Sequence, residues 1–187
     1  MIRHKLLIAT AIIASVGITA CSDLTAPKKL VPGGLAAAAI VAPPVTVVAH
    51  INGGGTAEMQ LLSSDGQGGS GRSMFGMGVT LFSDGSATGD FECVDQHGDA
   101  TGGGNIFGKV TSWSRDRDGS IVLQVTGKTF NFPGGPLPVG GPPVDISFIV
   151  KIQQFGGAGV GHWSLESGGF IFCWELVTSG QIAYKPE

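Results

Sequence analysis

Alternation with a period of two, broken by glycine-bearing turns, constrains this chain more than any other feature. In "SMFGMGVTLF" the residues Phe75, Met77, Val79 and Leu81 fall on one face, with Gly76, Gly78 and Thr80 on the other. Successive side chains of a strand point to opposite sides, so this pattern predicts a strand with one buried face. Asp84-Gly85 follows as a hairpin signal, because that pair accepts positive φ cheaply. A second strand is expected from Ala87 to about Val94. Asn105 to Ser114 alternates again, with Phe107, Lys109, Thr111 and Trp113 facing one way. Asp118-Gly119 turns the chain into "SIVLQVTGKTF", where Ile121, Leu123 and Val125 share a face. Val144, Ile146, Phe148, Val150 and Ile152 do the same in "PPVDISFIVKI". Val45 to His50, "GVGHWSLE", "GGFIFCWELV" and "GQIAYK" complete about eight to ten strands, and no helical periodicity is long enough to compete.

The expected fold class is therefore all-β, an antiparallel meander closed or nearly closed into a barrel, with a two-sheet sandwich as the alternative. Short sequential hairpins favour the meander, and closure removes the exposed edges. Glycine accounts for 32 of 187 residues without a three-residue period, which excludes collagen and suits barrel corners. A membrane-spanning barrel is disfavoured, since aromatic residues make up only 7% of the chain and cannot form girdles. The run from Phe75 to Asp118 resembles small glycine-rich β domains of secreted bacterial proteins, a likeness that assigns no residue a role.

The N-terminus carries an address. Met1 to Lys5 is basic, Leu6 to Ile18 is apolar, and Thr19-Ala20 leads into Cys21. These are the three parts of a secretory signal. The apolar run is about 13 residues, whereas a membrane span needs about 20. Ile18-Thr19-Ala20-Cys21 resembles the lipobox of bacterial lipoprotein precursors. The resemblance implies that the Cys21 thiol takes a diacylglycerol and that the bond before it is cut. It also implies attachment to the cell envelope through that lipid, with the outer membrane favoured in a Gram-negative cell because Ser22 follows Cys21. Residues 1–20 are thus expected as signal peptide, 21–44 as a lipidated tether rich in proline, and 45–187 as a single β domain.

Loss of Arg3 and Lys5 with the signal leaves nine basic against fourteen acidic residues, a formal charge of about −5. With no basic patch, nucleic acid is not an expected partner. Export leaves Cys93 and Cys173 in an oxidising compartment with only each other to pair. Both lie inside expected strands, so a disulfide across 80 positions is expected.

Chemistry is sparse. Gly66 to Gly71 matches GxGxxG, but no βαβ unit surrounds it. Asp116-Arg117-Asp118-Gly119 begins like a calcium loop and lacks the later ligands, which leaves a plain β-turn. Asp95, His97 and Asp99 recur every second residue in "CVDQHGD". In an extended segment they share a side and, with His162 or His50, offer nitrogen and carboxylate ligands to a metal ion, or a histidine base oriented by Asp95. His97-Gly98 reads as a turn, so a solvated hairpin end is the preferred reading and no cofactor is expected. Two glycine-rich loops, 63–73 and 131–143, stand out, the second long enough for a lid. The leading functional expectation is a non-catalytic binding or structural domain with an unknown ligand. The alternative is an envelope enzyme, a small hydrolase or isomerase, with a His/carboxylate site in a barrel mouth. A histidine and a carboxylate converging in the interior favour the enzyme; solvent-facing histidines favour the binder.

Overall fold

A computed structural model describes residues 42–60, 71–95, 104–130 and 141–187, apart from the side chains of Phe170 and Phe172. The signal, Cys21 and almost all of the tether lie outside the described residues, as do His97, Asp99 and most of the two singled-out loops. Ala42–Glu187 forms one compact unit. Its strands are β1 (Val47–Met59), β2 (Arg72–Phe82), β3 (Ala87–Asp95), β4 (Asn105–Arg115), β5 (Ile121–Phe130), β6 (Val144–Gln154), β7 (Gly156–Gly157), β8 (His162–Ser167) and β9 (Phe170–Pro186). Each pairs antiparallel with its neighbour in the order β1-β2-β3-β4-β5-β6-β8-β9, and β9 returns to pair with β1 from Ala49↔Pro186 to Met59↔Glu175. The two-residue β7 rests on β9 at Ile182 and Gln181. The fold is a closed eight-stranded antiparallel barrel, not a sandwich, and closure leaves the wall no free edge.

Local chemistry explains the hairpins. Asp84 accepts hydrogen bonds from the backbone N–H and the hydroxyl of Ser86, at 2.9 and 2.6 Å, and so holds the β2–β3 turn. Asp116 to Ser120 closes the β4–β5 turn through Asp116 N–H to the Ser120 carbonyl at 2.9 Å. In β4 a bulge falls between Val110 and Ser112. Phe107, Lys109 and Thr111 face outward, whereas Trp113, past the bulge, packs against the core and donates its indole N–H to the Phe82 carbonyl at 2.8 Å.

Two elements differ from the sequence expectation. Strand β1 runs on through Gly53-Gly54-Gly55 to Met59, and the last two expected strands are one 17-residue strand, β9. The cause is the closing seam, where Gly55 pairs with Gly180. A Cβ at Gly180, whose φ is +79°, would lie 1.9 Å from the Gly54 carbonyl oxygen. Only glycine lets the two backbones coil past each other there.

Inside, Trp163, Phe75, Phe91 and Phe148 meet at the centre. Ring centroids lie 5.5 Å apart for Phe75–Trp163 and Phe91–Trp163, and 6.0 Å for Phe91–Phe148. Burial of each such side chain contributes about 1.5–3 kcal/mol. The outer face of β3 to β5 carries Asp90, Glu92, Lys109 and Lys128, all exposed. An apolar interior within a charged wall is the inverse of a membrane-spanning barrel. Among the described residues, no helix is long and apolar enough to cross a membrane.

The two ends are unlike. One is sealed by the tight turns at 83–86 and 116–119, by the 155–161 connection and by the start of β1. From the other, the mouth, spring the connections 61–70, 96–103 and 131–140, themselves outside the described residues.

Candidate functional site

Polar groups enter the interior at the mouth. Period-two alternation carries Ser73 inward from β2 in phase with Phe75 and Met77. It carries Asp95 inward from β3 in phase with Phe91 and Cys93, and Glu175 from β9 in phase with Cys173 and Val177. Ser73 pairs with Asp95 across β2–β3, and Glu175 pairs with Trp163 across β8–β9. Glu175 is 2% exposed and Asp95 9%. The Ser73 hydroxyl donates to Glu175 Oε2 at 2.8 Å. The Trp163 indole N–H is fully buried and has no hydrogen-bond partner among the described residues. Burying carboxylates and an unpaired N–H is costly, and nothing in the architecture of a barrel requires it. Thr129, inward on β5, donates to the Asn105 carbonyl at 3.1 Å and so supports the rim.

The two cysteines face the same interior but are free thiols, which corrects the expected disulfide. Strands β3 and β9 stand three places apart in the wall, about 14 Å along the sheet at ~4.8 Å per strand. A disulfide requires Cα atoms within about 7 Å. Burial pushes the Cys93 thiol well above its ordinary range, and the Glu175 carboxylate pushes it further. Cys173 is raised in the same way, by burial first and then by Cys93 and Glu175. Both are neutral thiols at physiological pH, so neither supplies a thiolate nucleophile.

The metal candidates among the described residues, Asp95, His162 and His50, do not converge. Asp95 lies inside the barrel rather than on a solvated hairpin end. His162 faces outward, its Nδ1 3.1 Å from the Val160 carbonyl and its ring beside Trp174. His50 is also on the outer wall, 3.1 Å from the Thr80 hydroxyl and 3.0 Å from Glu187. Among the described residues, no three histidine, cysteine or acidic side chains are disposed to hold a metal ion. The calcium-like segment is a β-turn whose cation is Lys151, with Nζ 2.7 Å from Asp116 and 3.1 Å from Asp118.

An open groove of about 590 Å³ crosses the outer face of β2–β5 over Gly76 and Gly78. On it Lys109 pairs with Asp90, and Lys128 with Asp145.

Sequence reasoning overlooked Ser73 and Glu175. A usable signal was present: Glu175 sits in phase with Cys173 and Val177, as Asp95 does with Phe91 and Cys93. A carboxylate on the buried face at a strand end marks an interior site. In comparisons with protein families, with curated proteins and with solved structures, nothing matches this chain.

Proposed function

We propose that this chain is an exported, lipid-anchored envelope protein whose barrel mouth is an acid–base site, as in a small hydrolase or isomerase. The observation that carries this reading is the buried Ser73–Glu175 hydrogen bond, with Asp95 beside Ser73 on the next strand. A carboxylate 2.8 Å from a hydroxyl is within the reach a general base needs to take its proton. Phe75, Phe91 and Trp163 supply an apolar wall beneath these groups. An apolar site with a few convergent polar atoms is the usual form of a small-molecule site. In this reading Glu175 moves the proton, Ser73 relays it or attacks, and the neutral thiols of Cys93 and Cys173 line the site without reacting.

A second reading, a binder without turnover, is favoured by the outward placement of His50 and His162. Metabolite profiling separates the two. The purified protein is incubated with a cell-envelope extract and the small molecules are followed by mass spectrometry. The enzyme converts a species that Glu175→Gln leaves unchanged. The binder retains a species unconverted, which would sink the enzyme reading. The address rests on the Ile18-to-Cys21 string, and equal fatty-acid labelling of wild type and Cys21→Ser would refute it.

A further inference from the structure

We propose that the groove on the outer wall over β2–β5 binds a short, uncharged oligosaccharide. The groove has a volume of about 590 Å³, within the range of small-molecule sites. Its lining residues come from β2, β3, β4 and β5. It crosses three strand intervals, about 14 Å at ~4.8 Å each, so its length suits linked rings rather than a single ion.

Glycine makes the floor. Gly76 and Gly78 alternate with the inward Phe75, Met77 and Val79, so both face outward. Elsewhere in the wall the backbone imposes glycine: a Cβ at Gly127 would lie 1.9 Å from the Phe107 carbonyl oxygen. Gly78 is under no such constraint. Its φ lies outside the left-handed region, and its pairings with Asn52 and Asp90 carry no bulge. Among the described residues, a Cβ there would meet only Asn52 Oδ1, at 3.9 Å. Glycine inside a strand weakens it, and marks a bulge, a tight bend or the close approach of a ligand or another backbone. With the ladder regular and no backbone pressed against Gly78, the approach of a ligand is the reason that fits.

The side chains around the floor name the ligand class. Glu92 leans over Gly76, with Oε1 3.0 Å from where a Cβ would stand. Two cross-strand rows, Gly78–Asp90–Lys109–Thr126 and Gly76–Glu92–Phe107–Lys128, fill the groove. Two carboxylates stand among two ammonium groups, so the groove carries no net charge for an ion to recognise. A sugar hydroxyl donates and accepts at once, and so satisfies a carboxylate and an ammonium side by side, as Asp90 and Lys109 are. That ion pair is exposed and weak enough to yield to such a hydroxyl. Phe107, 40% exposed, offers an apolar surface to the C–H face of a sugar ring. The closed wall gives a peptide no strand edge to extend. The groove lies on the outside of the wall, and its binding does not depend on whether the mouth catalyses.

The test is saturation-transfer NMR on the mature chain, residues 21–187, carrying Cys21→Ser. The probes are maltotriose, cellotriose and N-acetylchitotriose, with the galacturonic acid trimer as anionic and the glucosamine trimer as cationic counterpart. At least one neutral trimer should show transfer, with a Kd on the order of 0.1–1 mM for so open a groove. Gly78→Leu fills the floor where space is open, so it should abolish the transfer and leave the melting temperature unchanged. Phe107→Ala should lower affinity about tenfold; if Gly78→Leu melts early, this variant decides. Absence of transfer to every neutral trimer overturns the proposal, as does a preference for a charged trimer. Transfer that survives both variants overturns it too, since the sugar would then sit elsewhere. Glu175→Gln should leave the transfer intact, which keeps failure of the groove distinguishable from failure of the mouth.

Discussion

The sealed end and the mouth are built from the same eight strands, yet they treat polar groups in opposite ways. At the sealed end charge stays outside. Asp116, Asp118 and Lys151 pair over the wall, Asp84 holds its own turn, and the interior beneath is Ala49, Ile51, Leu81, Ile121 and Ile152. At the mouth two carboxylates, a serine and two thiols replace those apolar side chains inside, while large apolar residues move to the outer rim. The contrast sets an apolar interior against a polar one along the barrel axis: one end closes the core, and the other gives up some stability to a polar interior.

The largest effects should come from the part that both ends share. Gly180→Val puts a Cβ into the Gly54 carbonyl at the closing seam, so the barrel should fail to form, read as loss of cooperative melting. Trp163→Ala should fold and lose about 3–5 kcal/mol in denaturant unfolding. If Gly180→Val melts like wild type, the seam is not what closes the wall.

Next in size are substitutions that set mouth against core. Ser73→Ala leaves Glu175 without the hydroxyl donor and should cost about 1–3 kcal/mol. The double change Ser73→Ala/Glu175→Met should be neutral or stabilising by about 1–2 kcal/mol, because both members of the buried polar pair give way to apolar packing, and it should abolish the turnover proposed for the mouth. A large loss of stability in the double variant would mean that the pair is structural, and the division between the ends would fall.

The thiols sharpen the comparison further. Under denaturing, non-reducing conditions the mature chain with Cys21→Ser should yield two free thiols. In the native state neither should react quickly with a thiol reagent near pH 7, because burial raises both. Zero free thiols would reinstate a bridge between β3 and β9.

The smallest effect belongs to the sealed end. Asp118 is lowered to about 2, mainly by the backbone N–H and the hydroxyl of Ser120, and then by Lys151. A carboxylate lowered in the folded state stabilises it above the unfolded value of about 3.9. That contribution is lost as pH falls toward 2. Asp118→Asn should therefore leave the melting temperature at pH 7 almost unchanged and flatten its slope between pH 4 and 2. An unchanged slope would remove Asp118 from the network.

Much of this is legible in the sequence itself. The alternation at Phe75 to Leu81 and at Ile121 to Val125 named core residues that are buried, and Asp84-Gly85 and Asp118-Gly119 named the turns. These are local properties: side-chain period and turn chemistry need only neighbouring residues. The triple glycine at 53–55 hid the second half of β1, because glycine reads as a break unless its partner is known. That partner, Gly180, is 125 positions away. Closure itself is a relation between the first strand and the last, and it decided three things that no local pattern contains. It chose barrel over sandwich. It set Cys93 and Cys173 on strands too far apart to bridge. It turned Asp95 and Glu175, two unremarkable acids near strand ends, toward one interior beside Ser73, because inward and outward acquire meaning only once the wall has closed.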